Sequence, residues 1–174
     1  LSLGFDTTLS LSPGTMKTTL ESTPQGGRVR RKGRLVQVPL AHEVRRIDFG
    51  RGERLAVAVP WGDVSTAFHT TGIPNITVYV PASRAAILGM KLGNWTRPIM
   101  KMSIVQRALS AIVSATVKGP DEASRARMPA YVWGEARNAS GVRRTARVKT
   151  SNGYSLTIPG ALAVTQFLLT QPAP

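Results

Sequence analysis

Residues 60–75 read Pro60-Trp61-Gly62-Asp63-Val64-Ser65-Thr66-Ala67-Phe68-His69-Thr70-Thr71-Gly72-Ile73-Pro74-Asn75 and separate two apolar runs, at 55–59 and 76–80, that have the composition of strands. A connector that only joined two strands would rarely combine a tryptophan, a histidine, two glycines and two prolines with a group of hydroxyl side chains. Binding groups are commonly placed on connections held between rigid elements. We therefore expect this segment to carry functional side chains.

Part of the segment has an ordinary structural explanation. Asp63 is a good N-cap for a short helix through Thr70, Gly72 is a good residue to end it, and Pro74 prevents its continuation. A helix that starts near Asp63 places Thr66 and Thr70 on one face with it. This structural explanation does not account for Trp61, Thr66 and His69, which are therefore the candidates for function.

Most of the remaining sequence has strand and hairpin patterns. Alternating apolar positions predict strands, and Lys32-Gly33 and 138–141 are typical of hairpin turns. The predicted strands are 1–5, two within 28–38, then 43–49, 55–59, 76–80, 130–137 and 142–150. We predict a single α+β domain over residues 1–170, with a mixed, largely antiparallel sheet, helices packed on one face and a tail at 171–174. The βαβ rhythm and Gly-rich first turn of a doubly wound nucleotide-binding domain are missing.

The helices are predicted in two blocks. Ser12 as N-cap and Pro13 at the first helical position predict a short helix near the amino end. A helix from Arg84 to about residue 92, a break at 93–98, and a long apolar helix at 99–117 follow, then a polar connector at 119–127. A turn at 151–154 precedes a last helix at 160–169 with Pro159 in its first turn. Three methionines suit either a core or an adaptable pocket: Met90, Met100 and Met102.

Charge and composition bound the function. The formal net charge is +14, with 23 Lys and Arg against 9 Asp and Glu, which suits an anionic partner but also an ordinary basic protein. Two hairpins, at 28–34 and 143–149, hold the densest positive charge. The absence of cysteine excludes disulfides, thiolate metal ligands and a cysteine nucleophile, and with only His42 and His69 we predict no metal site.

The sequence predicts neither a secretory signal nor a membrane span. The most apolar run, 99–117, contains Lys101, Gln106 and Arg107, which makes it a poor transmembrane segment. We expect a cytoplasmic location and no membrane partner. The chain starts at Leu1 and enters a strand pattern at once, so we interpret it as a piece of a longer protein.

Several segments resemble one enzyme family. Residues 12–18 (Ser-Pro-Gly-Thr-Met-Lys-Thr) are similar to a motif that follows the cofactor domain of saccharopine dehydrogenase-like oxidoreductases. Residues 59–67 and 71–76 resemble the most recognisable segment of that family. Residues 134–139 and 152–157 resemble its penultimate hairpin. These segments occur in the family's order through nearly the whole chain.

The resemblance implies the second domain of an NAD(P)-dependent oxidoreductase, which covers a small-molecule substrate and often supplies the dimer contact. The amino-terminal Rossmann domain is missing, and this chain has no cofactor fingerprint. NAD or NADP would therefore bind the full-length enzyme and not this chain, which we expect to be inactive alone because hydride transfer needs the cofactor. The resemblance implies a homodimer but no particular substrate.

In the first hypothesis, residues of two segments form a substrate-binding wall that faces the missing domain: Trp61, Asp63 and Thr66, with Ser12 and Thr15. His69 and Tyr154 are the candidate proton donors, and we predict no cofactor-binding residue in this chain. A second hypothesis is a nucleic-acid-binding module that uses the two basic hairpins. A third, compatible with the first, is an oligomerisation domain with helix 99–117 at its interface.

Overall fold

The structure, a computed structural model, describes residues 1–7, 12–119 and 128–171, apart from the side chain of Tyr154. Within these ranges the chain forms a curled six-stranded mixed sheet, a separate two-stranded hairpin and five α-helices. The predicted α+β class and the largely antiparallel sheet are confirmed. Among the described helices, none has the length and hydropathy that crossing a bilayer requires.

The strands are β1 (Ser2–Thr7), β2 (Gly27–Arg31), β3 (Arg34–Val38), β4 (Val44–Asp48), β5 (Glu53–Val59), β6 (Thr77–Pro81), β7 (Ala130–Arg137) and β8 (Arg143–Thr150). The helices are α1 (Pro13–Ser22), α2 (Asp63–Thr71), α3 (Arg84–Met100), α4 (Ser103–Thr116) and α5 (Gly153–Thr170), and a 3₁₀ turn covers Thr23–Gln25. The strand and hairpin predictions are confirmed to within two residues at most ends.

The large sheet has the order β4-β5-β6-β1-β7-β8, and the hairpin β2-β3 is the small sheet. Strands β1 and β6 run parallel, whereas each other neighbouring pair is antiparallel. The hairpin closes through Lys32 and Gly33, both at positive φ (49° and 77°), as a two-residue type I′ turn requires. β1 therefore lies at the centre of the large sheet, and its carboxyl end lies beside that of β6.

The sheet curls until its two edges are linked by side chains. Arg147 on edge strand β8 donates a 2.8 Å hydrogen bond to the Asp48 carbonyl of the other edge strand, β4, and its guanidinium lies 3.3 Å from the Asp48 carboxylate. Phe49, Tyr79 and Trp133 fill the concave face, where each is at most 4% exposed. The curl thus gives the sheet a core of its own on that face.

The convex face is covered by helices. Val57 of β5 packs with Ile87 of α3 and with Ala41 of the β3–β4 connection. Helix α4 packs against α1 and α3. Helices α1, α3 and α4 therefore lie together on this side of the sheet, and the space between them and the strands is described below.

The predicted break at 93–98 is wrong, because α3 continues through it to Met100 and the chain breaks at Lys101 and Met102 instead. The Asn94 side chain holds the helix in place: its Oδ1 accepts from the Leu40 N–H at 2.8 Å, and its Nδ2 donates to the Leu40 carbonyl at 3.1 Å. These long-range bonds outweigh the low helix propensity of Gly93, Asn94 and Pro98. The helix ends two residues after Pro98.

The last helix was also placed too late, because α5 begins at Gly153 and Pro159 lies inside it rather than in its first turn. Asn152 fixes this start: its carbonyl accepts from the Leu156 N–H at 3.1 Å, and its side chain donates to the Met128 carbonyl at 3.3 Å. The predicted turn at 151–154 is therefore reduced to Ser151 and Asn152. The predicted connector lies largely outside the described residues, at 120–127, as does the tail at 172–174.

Candidate functional site

Helix α2 starts one residue earlier than predicted, at Asp63 itself. Gly62 is the N-cap residue, and Asp63 is the first helical residue, so the prediction of Asp63 as N-cap is wrong. Gly62 already has helical φ and ψ (−54° and −31°), and its carbonyl accepts from the Ser65 N–H at 2.8 Å. Asp63 can still stabilise the helix, because its carboxylate lies in the positive first turn. Gly72, left-handed at φ 67°, ends the helix as predicted.

Arg30 of the basic hairpin holds α2 in place. Its side chain is 6% exposed and donates to the carbonyls of Val64 (2.9 Å), Ser65 (3.2 Å) and Gly33 (2.6 Å). Its guanidinium carbon also lies 4.4 Å from the centre of the Phe68 ring, within the range of a cation–π contact. This arginine therefore joins the hairpin turn to the first turn of α2, and so positions the segment 60–75.

A large cavity lies between the sheet, α1 and α3, and we call it the outer cavity. Its volume is about 760 Å³, which is within the usual range for small-molecule sites. Its lining comes from the end of β1, from α1, from β5 and β6, and from α3. The lining residues are Asp6, Thr7, Thr15, Thr19, Glu53, Arg54, Leu55, Val59, Trp61, Val80, Pro81, Ala82, Ser83, Ala86 and Met90.

Two predicted site residues, Trp61 and Thr15, line the outer cavity. The Trp61 ring packs against Phe5 of β1, with 5.1 Å between ring centres. Thr15 is joined to Ser12, the predicted N-cap of α1: the Ser12 Oγ accepts from the Thr15 N–H at 3.2 Å and lies 2.9 Å from Thr15 Oγ1. The fold therefore brings together one group from each of two segments that are far apart in sequence.

The other predicted site residues lie elsewhere. Thr66 and His69 are exposed on α2 and Asp63 is half-buried there, and they are not among the described residues that line the outer cavity. The Thr66 hydroxyl donates to the Gly62 carbonyl at 3.3 Å, and the His69 ring lies 5.6 Å from that of Phe68. Tyr154 belongs to α5, but its side chain lies outside the described residues.

Sequence reasoning missed an ion pair at one end of the outer cavity. The Asp6 side chain is 3% exposed, and its two oxygens lie 3.0 and 2.9 Å from Nη1 of Arg54, which is 46% exposed. Exposed Glu53 adds a second carboxylate beside them. Asp6 could have been noticed in the sequence, because it places a carboxylate within the apolar alternation of β1. Nothing in the local sequence, however, indicates that its partner is Arg54, which lies 48 positions away.

A second cavity, the inner cavity, has a volume of about 320 Å³ and shares Thr19, Val59 and Met90 with the outer one. The rest of its lining is Ser22, Thr23, Gly26, Leu40, Ala41, Ala58, Pro60, Gly89, Gly93 and Met100. Two of the three methionines that suited a pocket, Met90 and Met100, thus line one, whereas Met102 is 53% exposed. The two cavities adjoin at these three shared residues.

The concave face contains a separate polar cluster around Tyr79. Burial, and then the 2.5 Å hydrogen bond that its hydroxyl donates to Glu43, raise the pKa of the Tyr79 phenol well above its ordinary value, and the nearby Arg45 opposes this only in part. Arg45 stacks on Trp133 at 5.0 Å and pairs with Glu135 at 3.2 Å. This cluster lies away from both cavities and supports the sheet.

The raised pKa predicts how stability depends on alkaline pH. An unfolded tyrosine ionises near pH 10, roughly, whereas folded Tyr79 keeps its proton to higher pH. The stabilisation is therefore complete below about pH 10 and is lost above it, by up to about 1.4 kcal/mol per pH unit. Urea unfolding at a series of pH values should show a shallower alkaline decline in Tyr79→Phe than in the native protein. Tyr131→Phe is the matched control, and an equal decline in all three proteins would contradict the prediction.

Comparisons with known proteins add no assignment, because no protein-family model matches this chain and no curated protein matches it.

Proposed function

We propose that this chain is the substrate-binding and dimerisation domain of a saccharopine dehydrogenase-like NAD(P)-dependent oxidoreductase. The observation that carries the proposal is the outer cavity of about 760 Å³, which Thr15 and Trp61 line together. They belong to residues 12–18 and 59–67, two of the segments whose sequences resemble that family. A cavity that joins these segments supports their reading as parts of one substrate site.

In this proposal the chain binds and orients the substrate, and a Rossmann domain outside it supplies NAD or NADP for hydride transfer. Trp61 provides an apolar wall, and the Ser12–Thr15 hydroxyl pair provides polar contacts. Asp63, Thr66 and His69 on α2 would face the cofactor domain, with His69 the candidate proton donor. Tyr154 keeps the same candidate role. A cytoplasmic location and a small-molecule substrate belong to the same proposal.

A homodimer is also part of the proposal. Helix α5 contains no charged residue, and its described side chains are exposed from one end to the other. A helix that is apolar on all sides is normally covered by protein. Helix α4, within the predicted interface at 99–117, also exposes Ile104 and Ile112, at 68% and 57%. We assign these surfaces to contacts with a second copy.

One sedimentation experiment tests both parts. A longer protein, which includes the polypeptide that precedes Leu1 in its reading frame, is sedimented with reduced nicotinamide cofactor, and both protein and nicotinamide absorbance are followed. We expect cofactor absorbance to move with a dimer. The 174-residue chain alone should sediment as a dimer without cofactor. A longer protein that takes no cofactor would overturn the oxidoreductase assignment, and monomers of both proteins would overturn the dimer.

We do not propose the nucleic-acid-binding module, because part of its positive charge is used within the fold. Of the five basic residues at 28–34, Arg30 is buried against carbonyl groups. Arg31 donates to the Thr77 hydroxyl at 2.9 Å and lies 3.6 Å from the Glu43 carboxylate. In the second hairpin, Arg147 bonds to Asp48. These contacts weaken the reading of the hairpins as phosphate-binding ribbons.

A further inference from the structure

The two cavities adjoin and have chemically different linings. Thr19, Val59 and Met90 line both, so a ligand that passes between them must pass these three side chains. Methionine is unbranched and flexible, which allows Met90 to move aside for a ligand. A ligand that fills both cavities would be extended, with one end in each.

The inner end suits hydrocarbon. Among the described residues that line the inner cavity, none is charged. Its hydroxyl groups are already bonded: Thr19 donates to the Thr15 carbonyl at 2.8 Å, and both Ser22 and Thr23 donate to the Thr19 carbonyl, at 3.0 and 2.6 Å. The remaining lining is apolar or glycine, including Leu40 and Met100. Such a surface gains most from a ligand that has no polar groups of its own.

The outer end suits a polar but uncharged group. Asp6 and Arg54 neutralise each other, and Glu53 leaves that end with net negative charge. A carboxylate or phosphate would be repelled there. Arg54 is partly exposed and has more N–H groups than Asp6 uses, so it can donate to a carbonyl oxygen. Trp61 offers an apolar wall in the same cavity.

We propose that this site binds an aliphatic chain with an uncharged carbonyl at one end, as in a ketone, ester or thioester. The carbonyl lies beside Arg54, and the hydrocarbon extends past Met90 into the inner cavity. The inference deepens the proposed function, on which it rests, by naming the class of substrate. Its test needs no cofactor.

The experiment titrates the 174-residue chain calorimetrically with straight-chain methyl ketones of increasing length. Each added methylene should tighten binding roughly fourfold until the inner cavity is full, after which the affinity should level off. Fatty acids of matched length should bind at least about tenfold more weakly, because the negative charge that Glu53 leaves at that end repels the carboxylate. Affinity that does not depend on chain length, or tighter binding of the acids, would overturn the proposal.

A variant that blocks the inner cavity sharpens the test. Gly89 lines this cavity on α3, and a Cβ added there meets nothing within 4 Å, so Gly89→Leu places a side chain in open space and favours the helix. We expect long ketones to lose at least about tenfold in affinity, since about two methylenes or more are displaced, and short ketones to bind as before. Gly160→Leu, a glycine in α5 with equally open space, is the matched control and should bind every ketone normally. Unaltered binding of long ketones by Gly89→Leu would overturn the proposal, and the length series on the native chain decides the matter even if that variant does not fold.

The outcome is distinguishable from failure of the proposed function. Chain-length-dependent ketone binding, together with a longer protein that takes no nicotinamide cofactor, would keep the ligand class and remove the oxidoreductase assignment. Cofactor binding by the longer protein, together with ketone affinity that does not depend on chain length, would keep the oxidoreductase assignment and remove the ligand class.

Discussion

Replacement of Arg30 by methionine should lower the free energy of unfolding by about 3 kcal/mol, because the side chain makes three charge-assisted hydrogen bonds in a buried position. Methionine has a similar length and fills much of the same volume. The loss of stability therefore measures the missing hydrogen bonds more than the effect of an empty cavity. The Gly33 carbonyl loses its 2.6 Å donor, and the first turn of α2 loses its link to the hairpin. Urea unfolding followed by circular dichroism measures the change.

Arg28→Met is the matched control for this prediction. Arg28 lies on the same strand, is exposed, and bonds to the side chain of Gln25 at 2.7 Å. Its replacement should change the stability by less than about 0.5 kcal/mol. Arg30→Lys should fall between the two, because an ammonium group cannot reproduce the fork of the guanidinium. Equal losses in Arg28→Met and Arg30→Met would show that Arg30 does not clamp α2.

The clamp shows which features of the segment 60–75 local sequence could predict. Gly72 was recognisable as the end of α2 because a left-handed residue is needed there. The hairpin was recognisable from Lys32-Gly33 for a similar reason. The role of Arg30 was not recognisable, because the basic run suggested surface charge and its partners on α2, Val64 and Ser65, lie more than 30 residues away.

The same division applies to the site. Thr15 and Trp61 stood out by residue type and position, and both line the outer cavity. Asp6 and Arg54 were missed, and so was the continuity of α3, because each depends on a contact between distant segments: Asp6 with Arg54, and Asn94 with Leu40. Local propensity is a weak guide wherever such contacts decide the outcome.

Because the Asp6 carboxylate is buried, removing Arg54 should lower the stability of the protein more than removing Asp6 does. Arg54→Met should lower the stability by about 3 kcal/mol, because it leaves a charge that is 3% exposed without its partner. Asp6→Asn should cost only about 1 kcal/mol, because Arg54 is 46% exposed and remains hydrated, and the amide oxygen can still accept from it. The double variant Asp6→Asn/Arg54→Met should be more stable than Arg54→Met alone.

Arg147→Met provides the comparison with an exposed pair. Arg147 and Asp48 are 45% and 39% exposed, so loss of this ion pair should change the stability much less than Arg54→Met does. Thermal and urea unfolding of the four variants would measure the whole set. If Arg54→Met and Arg147→Met lose equal stability, the burial of Asp6 has no energetic consequence and the outer cavity lacks the polar end that we assign to it. If only Arg54→Met is strongly destabilised, the Asp6–Arg54 pair also stabilises the fold. The Arg54 guanidinium would then have two roles, because it keeps Asp6 paired and would also bind the carbonyl of a ligand.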